Sequence, residues 1–316
     1  MVKLDKLDWK ILEVLDWYGR MSFQSIAKLV HSNKDVVAYR IRRLEQEEII
    51  IRYYPVLDMQ KLGYYTSRLY FDLEEMTFEQ EQELIHFLDK DINAGLIFRM
   101  DYPYKYGILF WTKDLFQVES IIQQIKKKLG KVLIQYNYSF FCSYYIYPKD
   151  YLFAKKYHKE KFVLEKQNII ACDKMDFNIL KRLASNARLS TVNIAHDLKM
   201  PQTTVSAKIK QLENKLIILG YRAEINYFKL GYINYFLELY LENTSVLKNI
   251  EVWANAHKNV IWLQKIIGKC DIEIEVEVKD RVEFEKLLQE LRVAFPSIRK
   301  IIFWSQEYKK FTFFVA

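Results

Sequence analysis

The sequence predicts an α+β chain in which two winged helix-turn-helix domains alternate with two ferredoxin-like (βαββαβ) domains. Three observations carry that expectation. Residues 5–64 reappear without a gap 168 positions later as residues 173–232, with 21 of 60 positions identical. Each copy opens with three short amphipathic helices separated by tight turns. Each then continues with strands and helices in the order β-α-β-β-α-β, the ferredoxin-like pattern. A self-match of this length at one fixed period marks a structural unit made twice. A chain of 316 residues has room for several domains.

In the first copy, Leu4, Leu7, Ile11, Leu12 and Leu15 recur at helical spacing, and Gly19-Arg20 interrupts them. Ser22 is placed to cap a second helix carrying Phe23, Ile26, Ala27 and Val30. After the His31-Ser32-Asn33 turn, Val37, Ile41 and Leu44 define the inner face of a third helix. At about 100° per residue, Asp35, Tyr39, Arg42 and Arg43 point outward. In a helix-turn-helix the third helix enters the major groove, and its first turns touch base edges. Lys34, Tyr39, Arg40, Arg42 and Arg43 are therefore candidate DNA contacts; the arginine fork suits both phosphate and guanine edges. A basic run on a helix is more commonly a solvated face, and its position on the third helix is what favours contact here.

Ile49 to Val56 reads as a wing strand. Strands are then expected at 65–73, 96–100, 106–111 and 131–147, with helices at 78–88 and 115–129 and a C-terminal glycine stop at Gly130. Residues 148–171 are charged and irregular, a linker in which Tyr151, Leu152, Phe162 and Val163 suggest partial packing. The second copy repeats the scheme, with Ser190 as a cap, Pro201 in the first turn of the third helix, and Val205, Ile209 and Leu212 inside. Gln202, Thr203, Thr204, Ser206, Lys208 and Lys210 are its candidate DNA contacts, since hydroxyls and lysines serve phosphates and bases. Strands at 235–241, 260–267, 271–278 and 298–304, helices near 247–256 and 282–295, and a final strand at 311–315 complete it. The expected domains are 1–60, 61–147, 172–228 and 229–316, around the 148–171 linker.

The net charge of +8 permits a polyanionic partner, and double-stranded DNA is the one expected. Residues 174–224 carry nine basic and four acidic side chains, a net +5; residues 1–54 carry ten and eight, a net +2. The second helix-turn-helix is thus the stronger expected binder. The three cysteines are isolated and the five histidines scattered, so neither disulfides, nor a metal site, nor a cofactor is expected. No run approaches the roughly 18 apolar residues of a membrane span. The chain reads as a soluble, cytoplasmic protein with no membrane partner.

The order Met175-Asp176, Ile179-Leu180, Arg188-Leu189-Ser190, Pro201 to Val205, Leu212-Glu213, Ile217-Ile218, Gly220-Tyr221 and Leu230-Gly231-Tyr232 resembles the Lrp/AsnC (leucine-responsive regulator) family. Gly268-Lys269-Cys270-Asp271 resembles that family's Gly-x-Tyr-Asp loop. The resemblance covers both copies and implies a transcription regulator with an effector-binding, dimerising α/β domain. It implies a small effector, such as an amino acid, at Gly268, Lys269, Cys270 and Asp271. It also implies self-association, as a homo-oligomer or as a pseudo-dimer within one chain. Glu48 and Leu216 stand where the family commonly places glycine, and Cys270 where it places tyrosine. Siroheme decarboxylases resemble the same family and can be fused pairs, so a tetrapyrrole enzyme is the alternative. That chemistry calls for His and Arg near the middle-strand loop. The first copy offers Arg99, Tyr102, Tyr104, Lys105 and Tyr106 there without a histidine, and no catalytic residues are assigned.

Overall fold

The structure, a computed structural model, describes residues 3–153, 161–164 and 168–312. The first copy runs α1 (Lys6–Trp17), α2 (Phe23–Val30), α3 (Lys34–Gln46), β1 (Ile50–Leu57), β2 (Tyr65–Leu73), α4 (Phe78–Lys90), β3 (Leu96–Met100), β4 (Tyr106–Thr112), α5 (Leu115–Leu129) and β5 (Leu133–Ile146). A short β6 (Phe162–Leu164) precedes the second copy. That copy runs α6 (Lys174–Ser185), α7 (Thr191–Leu198), α8 (Gln202–Asn214), β7 (Ile218–Ile225), β8 (Ile233–Leu241), α9 (Leu247–Ala256), β9 (Val260–Gly268), β10 (Ile272–Val278), α10 (Arg281–Ala294) and β11 (Ile298–Phe311).

Local chemistry sets the helix boundaries. Asp5 with Asp8, and Asp173 with Asp176, form reciprocal capping boxes at the starts of α1 and α6. Ser22 and Ser190 cap α2 and α7 by accepting the backbone N–H three residues on. Asn33 does the same for α3. Pro201 was expected inside the first turn of α8; it stands one step earlier, at the cap itself, with extended backbone and no side-chain hydrogen bond. Each three-helix unit closes on an apolar core, around Ile11, Ile26 and Ile41 in the first and Ile179, Ile194 and Ile209 in the second. Each core also takes in residues of the other copy, Ala223 and Ile225 in the first and Leu57 and Leu62 in the second.

The expected wing strand over Ile49 to Val56 is found as β1, and it pairs across the copies: β1 and β7 run antiparallel, from Ile50 opposite Ile225 to Leu57 opposite Ile218. The contacts around this ribbon are reciprocal. The Gly19 N–H donates to the Tyr221 carbonyl (2.6 Å), and the equivalent Ala187 N–H donates to the Tyr53 carbonyl (3.0 Å). Arg20 donates to the Ala187 carbonyl and Arg188 to the Gly19 carbonyl. Tyr53 donates to Glu45 and Tyr221 to Glu213. At Gly19 the approach is so close that a Cβ would stand 2.6 Å from the Arg222 backbone. The two helix-turn-helix units thus form an isologous pair inside one chain.

The α/β halves fuse in the same way. Each last strand is 14 residues long and serves both copies. The start of β5 pairs with β2 and its end with β9; the start of β11 pairs with β8 and its end with β3. Among the described residues, the ring β2-β4-β3-β11-β8-β10-β9-β5 closes back on β2, and β6 adds to β5 outside it. Helices α4 and α5 cover the outer face of the first half, around Leu69, Phe71 and Ile108; α9 and α10 cover the second, around Leu237, Ile274 and Phe284. The sequence expected one or two strands over 131–147, and one is found. It expected β11 to stop near Trp304, but that strand continues to Phe311; residues 313–316, which include the end of the expected final strand, lie outside the described residues. In the expected linker, Phe162 stacks on Trp17 at 4.2 Å.

Candidate nucleic-acid interface and inter-unit cavity

The third helices α3 and α8 present short exposed rows. On α3, Lys34, Tyr39 and Arg42 face solvent, Tyr39 with 63 % of its surface open. On α8, Gln202, Thr203, Ser206 and Lys210 are exposed and Thr204 is half-buried. Arg42 and Lys210 occupy equivalent places. Neither row repeats the other otherwise, so the paired units would offer two different faces to a duplex.

Three of the expected DNA contacts are turned to another task. Arg40 reaches back to Asp5 (2.8 Å) and Asp8 (3.3 Å), and Arg43 to Asp8 (2.5 Å). The equivalent Lys208 reaches Asp173 (2.7 Å) and Asp176 (2.9 Å). The cause is the capping box. It places a carboxylate, Asp8, fully out of solvent at the start of α1, and that charge requires a cation from the neighbouring helix. Hydrogen bonds to Asp173 and Asp176 accordingly raise the Lys208 ammonium above the usual lysine range, and the Lys208 contact lowers Asp173.

Inside the barrel, β10 alternates two chemistries. Ile272, Ile274, Val276 and Val278 meet the α9/α10 core, while Glu273, Glu275 and Glu277 point to the enclosed side. Glu273 accepts from Arg68 of the first copy at 2.7 Å, and from Tyr70 at 2.5 Å. The Arg68 guanidinium lies over the rings of Phe236, Phe141 and Phe98 at 4.6–5.4 Å. Glu275 accepts from Asn234 (2.7 Å) and Tyr308 (2.6 Å), and Glu277 from Lys149 and Tyr151. Burial pushes the Glu275 carboxyl above the usual glutamate range.

The expected effector loop folds inward. Gly268 adopts φ +131°, and a Cβ there would stand 2.6 Å from the Tyr138 carbonyl. Lys269 enters the barrel, pairs with Glu238 and lies 4.3–4.4 Å from the ring centres of Tyr104 and Tyr70. Cys270 is buried and donates to the Ile272 carbonyl, and the Asp271 carboxylate accepts the Leu241 N–H at 2.7 Å. Burial raises the Cys270 thiol, and it raises Glu238 despite the neighbouring ammonium. Among the described residues no group of three His, Cys, Asp or Glu is placed to hold a metal ion, and no helix is long and apolar enough to cross a membrane.

A cavity of about 260 Å³ lies where the β1/β7 ribbon meets the barrel. Its walls come from both copies: Tyr54 from β1, Arg222 and Glu224 from β7, Trp262 from β9, Glu275 and Glu277 from β10, and Tyr308 and Phe311 from β11. No described histidine lines it. Sequence reasoning missed this place. Its one visible signal was the Ile-Glu-Ile-Glu-Val-Glu-Val alternation of β10.

Paired helix-turn-helix units on fused ferredoxin-like halves define the class: a duplicated winged-helix protein of the α+β kind. A family described as winged helix-turn-helix DNA-binding matches residues 4–51 and 173–215. An uncharacterized HTH-type transcriptional regulator of Pyrococcus horikoshii is 30 % identical over 131 residues, 41 % of this chain and 82 % of that protein. The proline dehydrogenase transcriptional activator of Rhodobacter capsulatus is 29 % identical over 130 residues, 40 % of this chain and 84 % of that one. Each relative is thus matched almost whole by less than half of this chain, as expected of one copy. The chain belongs to the Lrp/AsnC family. The crystal structure of siroheme decarboxylase NirDL shares the fold along nearly the full length, with TM-score 0.63 over 97 % of this chain and 93 % of that one, at 11 % identity.

Proposed function

We propose that this protein is a transcription regulator that binds double-stranded DNA with both third helices of one chain. The observation that supports this reading best is the β1/β7 ribbon with its reciprocal contacts, which holds two helix-turn-helix units as a ready-made pair. Paired helix-turn-helix units read half-sites about one helical turn, roughly 34 Å, apart, and the same spacing is expected of this pair. Because Lys34, Tyr39 and Arg42 differ from Gln202, Thr203, Ser206 and Lys210, the two half-sites it prefers are expected to differ in sequence. Phosphate contacts by Arg42 and Lys210 supply salt-dependent affinity. A small effector such as an amino acid at the Gly268–Asp271 loop is the finer part of the reading; it acts by displacing Lys269 from Glu238.

The test is a salt-series titration of duplex DNA. Lys210→Ala is expected to weaken binding evenly across sequences and to reduce the salt slope by about one. Lys208→Ala is expected to leave that slope in place and to lower stability instead, by about 1 kcal/mol for a partly exposed pair. Equal slopes for wild type and Lys210→Ala would remove α8 from the interface.

The full-length likeness to NirDL favours one second reading, a decarboxylase acting on a carboxylated tetrapyrrole. The cavity between the copies argues against it. It is about 260 Å³, below the roughly 300–1,000 Å³ of pockets that hold drug-sized ligands, and no described histidine lines it. A tetrapyrrole absorption band in the purified protein would reverse this preference.

A further inference from the structure

The cavity under the ribbon has a charge distribution that the regulator reading leaves unused. Two basic side chains face it, and both are already neutralised: Lys149 by Glu277, and Arg222 by Asp16. Glu224 is held by Arg52 at 2.5 Å and Glu307 by Lys309 at 2.8 Å. Glu275 differs. It is almost fully buried, and its two hydrogen-bond donors, Asn234 and Tyr308, are neutral. A buried carboxyl without a cation either keeps its proton or awaits a positive charge. Burial pushes the Glu275 carboxyl above the usual glutamate range, and the more distant Arg68 offsets this only in part.

The walls around Glu275 suit a cation with an apolar body. Tyr227, Trp262, Tyr308 and Phe311 line the space, and rings at its rim already carry cations: the Arg52 guanidinium lies 5.0 Å from the Phe311 ring centre, and the Lys149 ammonium 5.8 Å from that of Tyr227. The volume of about 260 Å³ limits the guest to roughly nine water-sized groups at about 30 Å³ each. We propose that this cavity binds a small organic cation, a primary amine on an apolar or aromatic body, with the ammonium on Glu275 and the body against Trp262 and Phe311.

The place gives the guest leverage. One wall is β7 and the residues just after it, 223–228, which run from the ribbon joining the two helix-turn-helix units into the second barrel half. The other wall is β9, β10 and β11 of the barrel. An occupant touching both changes the energy of their relative placement, which is the requirement for coupling two sites. This coupling, though not the binding itself, rests on the regulator reading.

Calorimetry on the full-length protein with benzylamine, against neutral benzyl alcohol and anionic benzoate, tests the site. Benzylamine is expected to bind, and the other two to bind at least about tenfold more weakly, the usual difference for a charge-assisted contact. Glu275→Gln, isosteric and still able to accept from Tyr308, is expected to lose about tenfold for benzylamine alone. Trp262→Leu is expected to weaken benzylamine and benzyl alcohol together. Equal affinity for the three probes, or benzylamine binding unchanged in Glu275→Gln, would overturn the proposal, as would no benzylamine binding by folded wild type. A DNA titration with and without benzylamine separates the two readings. DNA binding without any amine binding removes the cation site and keeps the regulator. Amine binding in a protein that ignores DNA does the reverse.

Discussion

β4 and β10 hold the same place in the two copies and carry opposite chemistry. On the enclosed side β4 offers Gly107, Leu109 and Trp111, whereas β10 offers Glu273, Glu275 and Glu277. Their outward residues, Ile108 and Phe110 on one and Ile274 and Val276 on the other, are interchangeable helix-facing apolar side chains. Duplication kept the faces that build each half and released the face the halves share. Across that shared face the first copy supplies the cation Arg68 and the second the acid Glu273 that it pairs with. The first copy is also closed to the alternative: a Cβ at Gly107 would stand 2.2 Å from the Phe98 ring.

The division makes Arg68 the most sensitive point of the barrel. Arg68→Met leaves Glu273 buried without its cation, and a loss of about 3–5 kcal/mol is expected in urea unfolding. Adding Glu273→Gln to that variant is expected to recover a large part of it, because the uncompensated charge is gone. Strictly additive losses would mean that the two copies are not joined through this pair.

The acidic half also predicts how pH acts. Desolvation raises the Glu275 carboxyl above its ordinary value of 4.5, with Glu277 adding to the rise; Tyr308, Asn234 and, more weakly, Arg68 oppose it. The unfolded chain therefore gives up this proton at lower pH than the folded one. By linkage, Glu275 costs stability increasingly as pH rises from 4.5 toward its folded value. Glu275→Gln is expected to raise the melting temperature at neutral pH and to leave it unchanged at pH 4. A constant offset at both would assign the change to packing rather than titration.

These contrasts explain what was legible in the sequence. Helix starts were visible because caps are local: Ser22, Ser190 and Asn33 act within three residues of themselves. The repeat was visible because the matched residues are core and turn positions. The cross-pairing of β1 with β7 was invisible, since a strand carries no mark of which strand it will meet. The alternation of β10 was visible, but that its glutamate face lies inside was not, for a related reason. Alternation separates Ile272 and Ile274 from Glu273 and Glu275, and for one half alone the glutamates would belong in water. Only the first half, laid over them, turns that face into an interior. Arg40 and Lys208 misled because their direction follows from helix period, while their partners sit on another helix 32–35 residues earlier in the chain.

The smallest expected effect compares the ends of the two third helices. Glu48 and Leu216 follow α3 and α8 at φ +53°, the left-handed region that favours glycine. Around them the copies again mirror each other: Lys61 donates to the carbonyls of Lys215 and Leu216, and Lys229 donates to the carbonyl of Glu47. Only the first copy adds a side chain to this arrangement, since the Glu48 carboxylate accepts from Lys229 at 2.5 Å. Leu216 is 55 % exposed, so glycine there forfeits little burial. Relief of the left-handed penalty, about 1–2 kcal/mol, exceeds the extra chain entropy of glycine, about 0.5–1 kcal/mol. Leu216→Gly is thus expected to stabilise by about 0.5–1 kcal/mol, read as a rise of about 1–2 °C in thermal unfolding. Glu48→Gly is expected to gain less, because it gives up the Lys229 contact. If Leu216→Gly instead melts lower, the leucine side chain packs more strongly in solution than its exposure indicates, and the turn is held by that contact rather than by the Lys61 bridge.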